Sequence, residues 1–399
     1  MEFAFDDDQR ALAAAVRTYL RDRFGLDRVR EQYDDPRADG LPADLWQAVG
    51  EQGWLAVTVP EEHGGVGLGV LDAAVIARAF GAAAVPGPWL STVLLAEAVR
   101  LAGSAGQQAD LLPRLAAGEV KGAVALTRPG SLDLPPATAS GDALSGDLGL
   151  VEYASAADVL LVATPDSLHL VDPRGPGVQV TEHAALDRST RLQTVVLDGA
   201  PGQRLAGGSG GDSGSDTSGA YADLLDRAAV LAANDLVGSA RRALHDTVEY
   251  DKTRVQFGRP VGSFQAIKHD LADLHVGVTM AEHAAMYAAH ALDVGADDRR
   301  LAASVAKAKA SDVADTAVSA MIQYHGGIGY TWEHHTHYFF KRAKRLQFAY
   351  GDGAQHRERI ARLAIDPLRS DAVLSGVTPG GSAGVQGTGV PAGVAAGAL

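Results

Sequence analysis

The period of the hydrophobic pattern changes twice along these 399 residues, and that double change constrains the fold more than any other feature. From Asp6 to about Lys121 the spacing is helical. Leu12, Ala15, Val16 and Tyr19 or Leu20 recur on one face, with Arg17, Arg21 and Asp22 off it. An alanine-rich run from Leu71 to Ala84 reads as a buried helix, Pro86 and Pro88 interrupt it, and another helix follows from Leu90 to Ala102. From about Gly122 the texture turns to short β-prone runs: Ala123 to Thr127, Val159 to Thr164, Leu168 to Val171, Val178 to Val180 and Thr194 to Leu197. Turn residues such as Asp172-Pro173 separate several of them, which predicts a small barrel or sandwich rather than a doubly wound sheet. Helical spacing returns at Tyr221 and holds to about Ile365, through amphipathic stretches at Asp226 to Tyr250, Phe264 to Leu292 and Asp298 to Tyr324.

The expected fold class is therefore α+β: an N-terminal helical domain (1–121), a middle β-barrel or sandwich domain (122–206) and a C-terminal four-helix-bundle domain (221–367). Residues 207–220, nearly all Gly, Ser and Asp at their centre, read as a linker. Residues 368–399 lack the large apolar side chains that offset ordering entropy and read as a disordered tail.

Composition narrows the function classes. A net charge of -14 gives no general attraction to a phosphate backbone, so no nucleic-acid partner is expected. The chain has no cysteine, which excludes a thiol nucleophile, thiolate metal sites and disulfides. No stretch is apolar enough to span a membrane, and Asp6, Asp7 and Asp8 stand where a secretory signal would be basic. A cytoplasmic location is expected.

Four motifs then point one way. Gly53-Trp54-Leu55 with Val59-Pro60-Glu61-Glu62-His63-Gly64-Gly65 is a breaker-rich turn after a helix. Ala125-Leu126-Thr127-Arg128-Pro129-Gly130-Ser131 opens the β segment. Tyr250-Asp251-Lys252-Thr253-Arg254-Val255-Gln256-Phe257-Gly258-Arg259-Pro260 supplies a rigid fork of donors suited to a diphosphate, an apolar ring and a chain turn. Gln323-Tyr324-His325-Gly326-Gly327-Ile328-Gly329 strips Cβ atoms from a stretch where a nucleotide can approach the backbone, without the ending of a P-loop.

In this order the motifs resemble the acyl-CoA dehydrogenase family over roughly residues 3 to 365, and in particular a bacterial branch whose subunits form heteromeric steroid-CoA dehydrogenases. The resemblance implies FAD as cofactor. It places Leu126 and Thr127 against the pyrimidine side of the flavin. It places Arg254, Gln256, Phe257, Gln323, Gly326 and Gly327 on the FAD of a neighbouring subunit, in a homo- or hetero-oligomeric dimer or tetramer with composite sites. An acyl-CoA thioester is the implied substrate and electron-transfer flavoprotein the implied acceptor. The family uses no metal, so none is expected at His325, His334, His335 and His337.

The pattern departs at two places. Arg128 stands where the family usually has Glu. More consequentially, the family's catalytic Glu follows a Tyr some twenty residues after the glycine run, and here Tyr350 is followed by Gly351. A carboxylate is needed there because the α proton of a thioester is only weakly acidic, and a desolvated Glu with a raised pKa removes it. The nearest carboxylate is Asp352, a candidate substitute base. The alternative position used in some members falls near Ala228. Asp226 reads there as an acid favoured at a helix N-terminus and Asp235 as a solvated helix residue. Three readings stay open: a dehydrogenase subunit whose base comes from a different chain or from Asp352, a catalytically silent FAD-contacting partner, and a flavin oxidase or monooxygenase on the same fold. Lys341, Arg342, Lys344 and Arg345 form a basic run that reads first as a solvated face and second as a phosphate contact of CoA or FAD.

Overall fold

The structure is a computed structural model and describes residues 4–35, 40–127, 132, 135–206 and 218–366. The expectations for 207–217 and 368–399, and the departure at Arg128, lie outside the described residues, while 218–220, expected as the end of the linker, are instead the first turn of a helix that runs Ser218–Thr253.

Six helices build the N-terminal unit: α1 (Asp7–Arg23), α2 (Leu26–Asp34), α3 (Ala43–Glu51), α4 (Val70–Ala83), α5 (Trp89–Ala102) and α6 (Ala105–Ala116). Side chains set two of the starts. Asp6 and Gln9 form a capping box on α1, and Ser104 and Gln107 form one on α6. Helices α4 and α5 are apolar nearly all round and are buried on nearly every side, as such a pattern requires.

The middle unit is one seven-stranded sheet: β1 (Gly122–Ala125), β2 (Thr138–Ser140), β3 (Ala143–Glu152), β4 (Val159–Ala163), β5 (Leu168–Val171), β6 (Val178–His183) and β7 (Leu192–Arg204). The strand order is β1-β4-β5-β7-β3-β2, with β6 beside β7. The period of two sorts its residues. Ala123, Leu160, Val162 and Val171 fill the sheet's own interior, while Val124, Leu161, Ala163 and Leu170 join the helical core. The sequence reading missed β2 and β3. β3 carries Gly146 and Gly149, and its pairing with β7 shifts register at both, so its apolar residues fall out of simple alternation.

The C-terminal unit has three long helices, α7 (Ser218–Thr253), α8 (Gln265–Asp293) and α9 (Arg299–His325), followed by α10 (Thr336–Leu346) and α11 (Gly353–Ala364). A two-stranded hairpin, β8 (Val255–Gln256) with β9 (Arg259–Pro260), projects between α7 and α8. The units are locked together by polar contacts that periodicity does not reveal. Gly81 of α4 and Gly238 of α7 let two backbones meet: a Cβ on either would lie 2.0 Å from a carbonyl oxygen of the other helix. Asp293 at the end of α8 accepts from the first amides of α4, Val70 N at 2.7 Å and Leu71 N at 2.9 Å. Buried Arg342 of α10 bonds Asp235 of α7 at 2.8 Å and the Val85 carbonyl at 2.8 Å.

Three sequence expectations are corrected by this packing. Asp235 is not a solvated helix residue but the buried partner of Arg342. Asp226 does not stand at a helix start, since α7 begins at Ser218; it is buried against Arg359 of α11. The basic run 341–345 is not a solvated face: Arg342 is buried, and Arg345 pairs with Glu152 and Asp187 of the β unit. A four-residue run on one helix spans both faces, so a charge count alone cannot separate them.

Candidate active site

Between the β unit and the C-terminal helices lies a cavity of about 890 Å3, large enough for a cofactor or a sizeable ligand. One wall comes from the end of β1 and from β3: Leu126, Thr127, Leu148, Leu150 and Glu152. The opposite wall is α10 and the turn that follows it, Ala349-Tyr350-Gly351-Asp352. The β1 end is fixed to the helical unit by Tyr221, whose hydroxyl donates to the Leu126 carbonyl at 2.9 Å.

Among the described residues three carboxylates line this cavity, and each is engaged. Asp352 is the N-cap of α11. Its Oδ1 accepts from Gln355 N at 2.8 Å, and the Gln355 side chain returns a bond to Asp352 N at 2.9 Å. Asp187 accepts from Tyr33 Oη at 2.8 Å and from Arg345 Nε at 2.9 Å. Burial alone would raise the Asp187 carboxyl, but Arg345 and Ser189 hold it below its ordinary value. Glu152 pairs with the same Arg345.

Gly351 has φ +95°, and its side-chain direction is already occupied. A Cβ there would lie 2.7 Å from Leu132 Cδ1 and 2.9 Å from His356 Nε2. The preceding Tyr350 is also left-handed, at φ +56°. Burial raises its hydroxyl far above the ordinary range, with Glu152 adding to the effect.

The structure separates the sequence-predicted residues into two places. Leu126, Thr127 and Asp352 meet in the cavity. Arg254, Gln256, Phe257, Gln323, Gly326 and Gly327 do not; all six are exposed where α7 and α9 end. Those ends lie together because the Tyr250 and His325 rings stack, 4.3 Å between centroids. The hairpin tip Phe257-Gly258 has two positive φ angles, 52° and 77°, the geometry of a tight two-residue turn, and it leaves Phe257 92% exposed. The glycines divide by role. A Cβ at Gly329 would strike Ile322 O at 2.7 Å, whereas Gly326 and Gly327 face open space. His325, His334 and His335 form a column of ring contacts, and His335 Nε2 lies 3.0 Å from the Asp246 carboxylate.

Sequence reasoning missed Glu152 and Arg345 as cavity residues, and Lys307 and His356 beneath the 350–352 turn. Glu152 carried no motif, Arg345 was hidden in the basic run, and a lysine on a helix gives no sign of being buried.

Models of the acyl-CoA dehydrogenase N-terminal domain and C-terminal domain match residues 6–119 and 221–365. Acyl-CoA dehydrogenase IpdE2 of Mycobacterium tuberculosis is 34% identical over 344 residues, covering 84% of this chain and 91% of that protein. The chain belongs to the acyl-CoA dehydrogenase family. These are flavoprotein oxidoreductases, and the α+β architecture described above is theirs. Among solved structures, a variant of the steroid ACAD Tcur3481-Tcur3483 superposes with a TM-score of 0.82 at 29% identity, covering 91% of this chain and 99% of that one. The ChsE4-ChsE5 complex from Mycobacterium tuberculosis gives 0.81 at 27% identity, covering 92% and 100%. Among the described residues no helix is long and apolar enough to cross a membrane.

The residues present fit a flavin. Val124, Leu126, Leu148 and Leu150 give the cavity an apolar wall, with Thr127 as a polar edge. The open glycines Gly326 and Gly327 at the end of α9 and the exposed Arg254 at the end of α7, two ends that the Tyr250–His325 stack holds together, suit the backbone amides and guanidinium that a diphosphate would need.

Proposed function

We propose that this chain is one subunit of a heteromeric, FAD-dependent enzyme that dehydrogenates an acyl-CoA thioester between its α and β carbons, with the α-proton base supplied by a different chain. The observation that carries this is the filled, side-chain-free position at Gly351 together with the prior engagement of the three carboxylates that line the cavity among the described residues. A base must reach the α carbon with a free oxygen. Asp352 is held on the α11 cap through Oδ1, which leaves its second oxygen as the one rival to a base from another chain, and Glu152 and Asp187 share Arg345.

FAD, when bound, accepts the β hydrogen as hydride, and electron-transfer flavoprotein is the proposed onward acceptor. The chain's own part is binding and orientation. Leu126 and Thr127 hold the ring side of a cofactor in the cavity between the β and C-terminal units. Arg254, Gln256, Phe257, Gln323, Gly326 and Gly327 lie too far round the bundle to line that cavity, so they serve the dinucleotide of a neighbouring subunit. On the same two segments Val255, Phe257, Ile328 and Tyr330 are exposed, large apolar side chains of the kind that a protein interface covers. The likeness to a steroid ACAD and to the ChsE4-ChsE5 complex supports a bulky acyl group and a non-identical partner.

The test is the visible absorption, FAD-to-protein ratio and solution mass of the chain purified alone. It is then repeated after co-expression with a second acyl-CoA dehydrogenase chain that carries the Glu. Little FAD alone, recovery to one FAD per two chains in the mixed assembly, and flavin bleaching by an acyl-CoA only there are expected. One FAD per chain in a homo-oligomer that bleaches alone, with bleaching abolished by Asp352→Asn, would replace this reading with Asp352 as base. Rapid reoxidation of the reduced flavin by oxygen would favour an oxidase or monooxygenase.

A further inference from the structure

Lys307 lies in the middle of α9 with no exposed surface, and no carboxylate among the described residues is within ion-pair distance of it. A buried ammonium is costly unless its hydrogens are bonded. Lys307 Nζ donates to the Gly351 carbonyl at 2.7 Å, the Gln347 carbonyl at 3.0 Å and Ser311 Oγ at 3.3 Å. Three acceptors match the three hydrogens of an ammonium. From the other side, His356 Nε2 lies 3.0 Å from the Tyr350 carbonyl, and since a carbonyl only accepts, that nitrogen carries the proton. His356 is also fully buried, and it fills the space a Gly351 side chain would take.

These bonds converge on the cavity wall. Tyr350 and Gly351 are consecutive left-handed residues, and for Tyr350, which has a Cβ, that conformation is strained. Nothing in their own sequence offsets the cost at Tyr350. The carbonyls on both sides are held instead by α9 and α11.

We propose that Lys307, with His356, is a positioning residue for the acyl-CoA cavity: its ammonium clamps the 347–351 turn so that the wall at Gly351 keeps the shape that admits the ligand. The binding half of this inference rests on the acyl-CoA reading above; the clamp itself does not. Burial lowers the Lys307 amine to about 7, with Asp352 opposing the shift. The other titratable group acting here is His356, which burial first and Lys307 second lower to about 4, leaving it neutral throughout the neutral range. As pH rises through about 7 the amine loses its third hydrogen, and one of the three bonds is lost. The clamp therefore loosens with rising pH, while Tyr350, raised far above its ordinary value, stays protonated.

The experiment measures amide hydrogen exchange over residues 347–352 in the full-length assembled protein at pH 6 and 8.5, corrected for intrinsic rates. Octanoyl-CoA binding by calorimetry is measured at both pH values. Loss of one neutral hydrogen bond corresponds to roughly five- to tenfold in local opening. Wild type is expected to lose about that much protection and octanoyl-CoA affinity between pH 6 and 8.5. Lys307→Gln keeps two donors and cannot titrate, so its protection is expected to be flat with pH. Lys307→Met is expected to exchange fast at both pH values, with α7 unchanged. If Lys307→Met loses protection throughout α7 as well, Lys307→Gln decides. A flat wild-type profile, or a Lys307→Gln profile that follows wild type, overturns the clamp. If exchange behaves as expected but wild type binds octanoyl-CoA at neither pH, the clamp stands and the binding half of the inference is overturned, while the bulky-acyl reading is decided by its own bleaching test.

Discussion

Gly351→Ala puts one methyl group where the structure has no room for it, and the expected cost can be worked from the geometry. Two contributions add. A residue with a Cβ at φ +95° is strained, which costs about 1–2 kcal/mol. The Cβ would also stand 2.7 Å from Leu132 Cδ1 and 2.9 Å from His356 Nε2, well inside contact distance, and forcing a methyl into filled space costs about 1–3 kcal/mol more. The sum is about 2–5 kcal/mol of stability. Gly199 provides the control: its φ is +63°, but a Cβ there meets nothing within 4 Å, so Gly199→Ala carries only the backbone part, about 1 kcal/mol. Urea unfolding followed by circular dichroism, with both variants at one pH and one protein concentration, measures the difference. A Gly351→Ala midpoint equal to that of Gly199→Ala would refute the claim that the side-chain space at 351 is occupied. The case against a base at this position would fall with it. The same geometry predicts that Gly351→Glu does not confer dehydrogenation on the isolated chain, because the side chain would start against Leu132 and His356 and could be accommodated only by displacing them.

Other expectations are tested independently. Asp251 is buried, neither of its carboxylate oxygens has a hydrogen-bond partner among the described residues, and burial raises its carboxyl to about 6 from 3.8. Between those values the folded state binds more protons than the unfolded state, so stability falls as pH rises through that window and stays lower above it. Asp251→Asn removes the penalty and should raise stability by about 2–3 kcal/mol at pH 7.5 but not at pH 3.5; equal urea midpoints at pH 7.5 would refute this. Arg342→Met leaves Asp235 buried without its cation and should cost about 3–5 kcal/mol. A loss under 1 kcal/mol in the same urea titration would mean that this pair does not hold α10 to α7. Arg254→Ala should lower the FAD content of the mixed assembly without moving the melting temperature of the isolated chain, since Arg254 is exposed; an unchanged FAD ratio would remove it from the cofactor site.

By itself the sequence determined the order of the parts and most of their helices. Helical spacing placed α4, α5, α8 and α9 within a residue or two of where they stand, because burying one stripe of a helix leaves a period that survives any detail of packing. It also identified the two motifs that the fold brings together at the ends of α7 and α9, since a tight turn and an open backbone demand glycine wherever they occur. It did not give β3, where two register shifts break the alternation that marks a strand. It could also register that Gly351 is not a glutamate, but not that the space is taken. That fact depends on Leu132 and His356, which reach the position from either side. The burial of Lys307, Arg345 and Asp235 belongs to the tertiary structure for the same reason. A charged side chain carries no local signal of burial, and its state is set by partners 40 to 193 residues away in the chain that only the packed structure brings within hydrogen-bond reach.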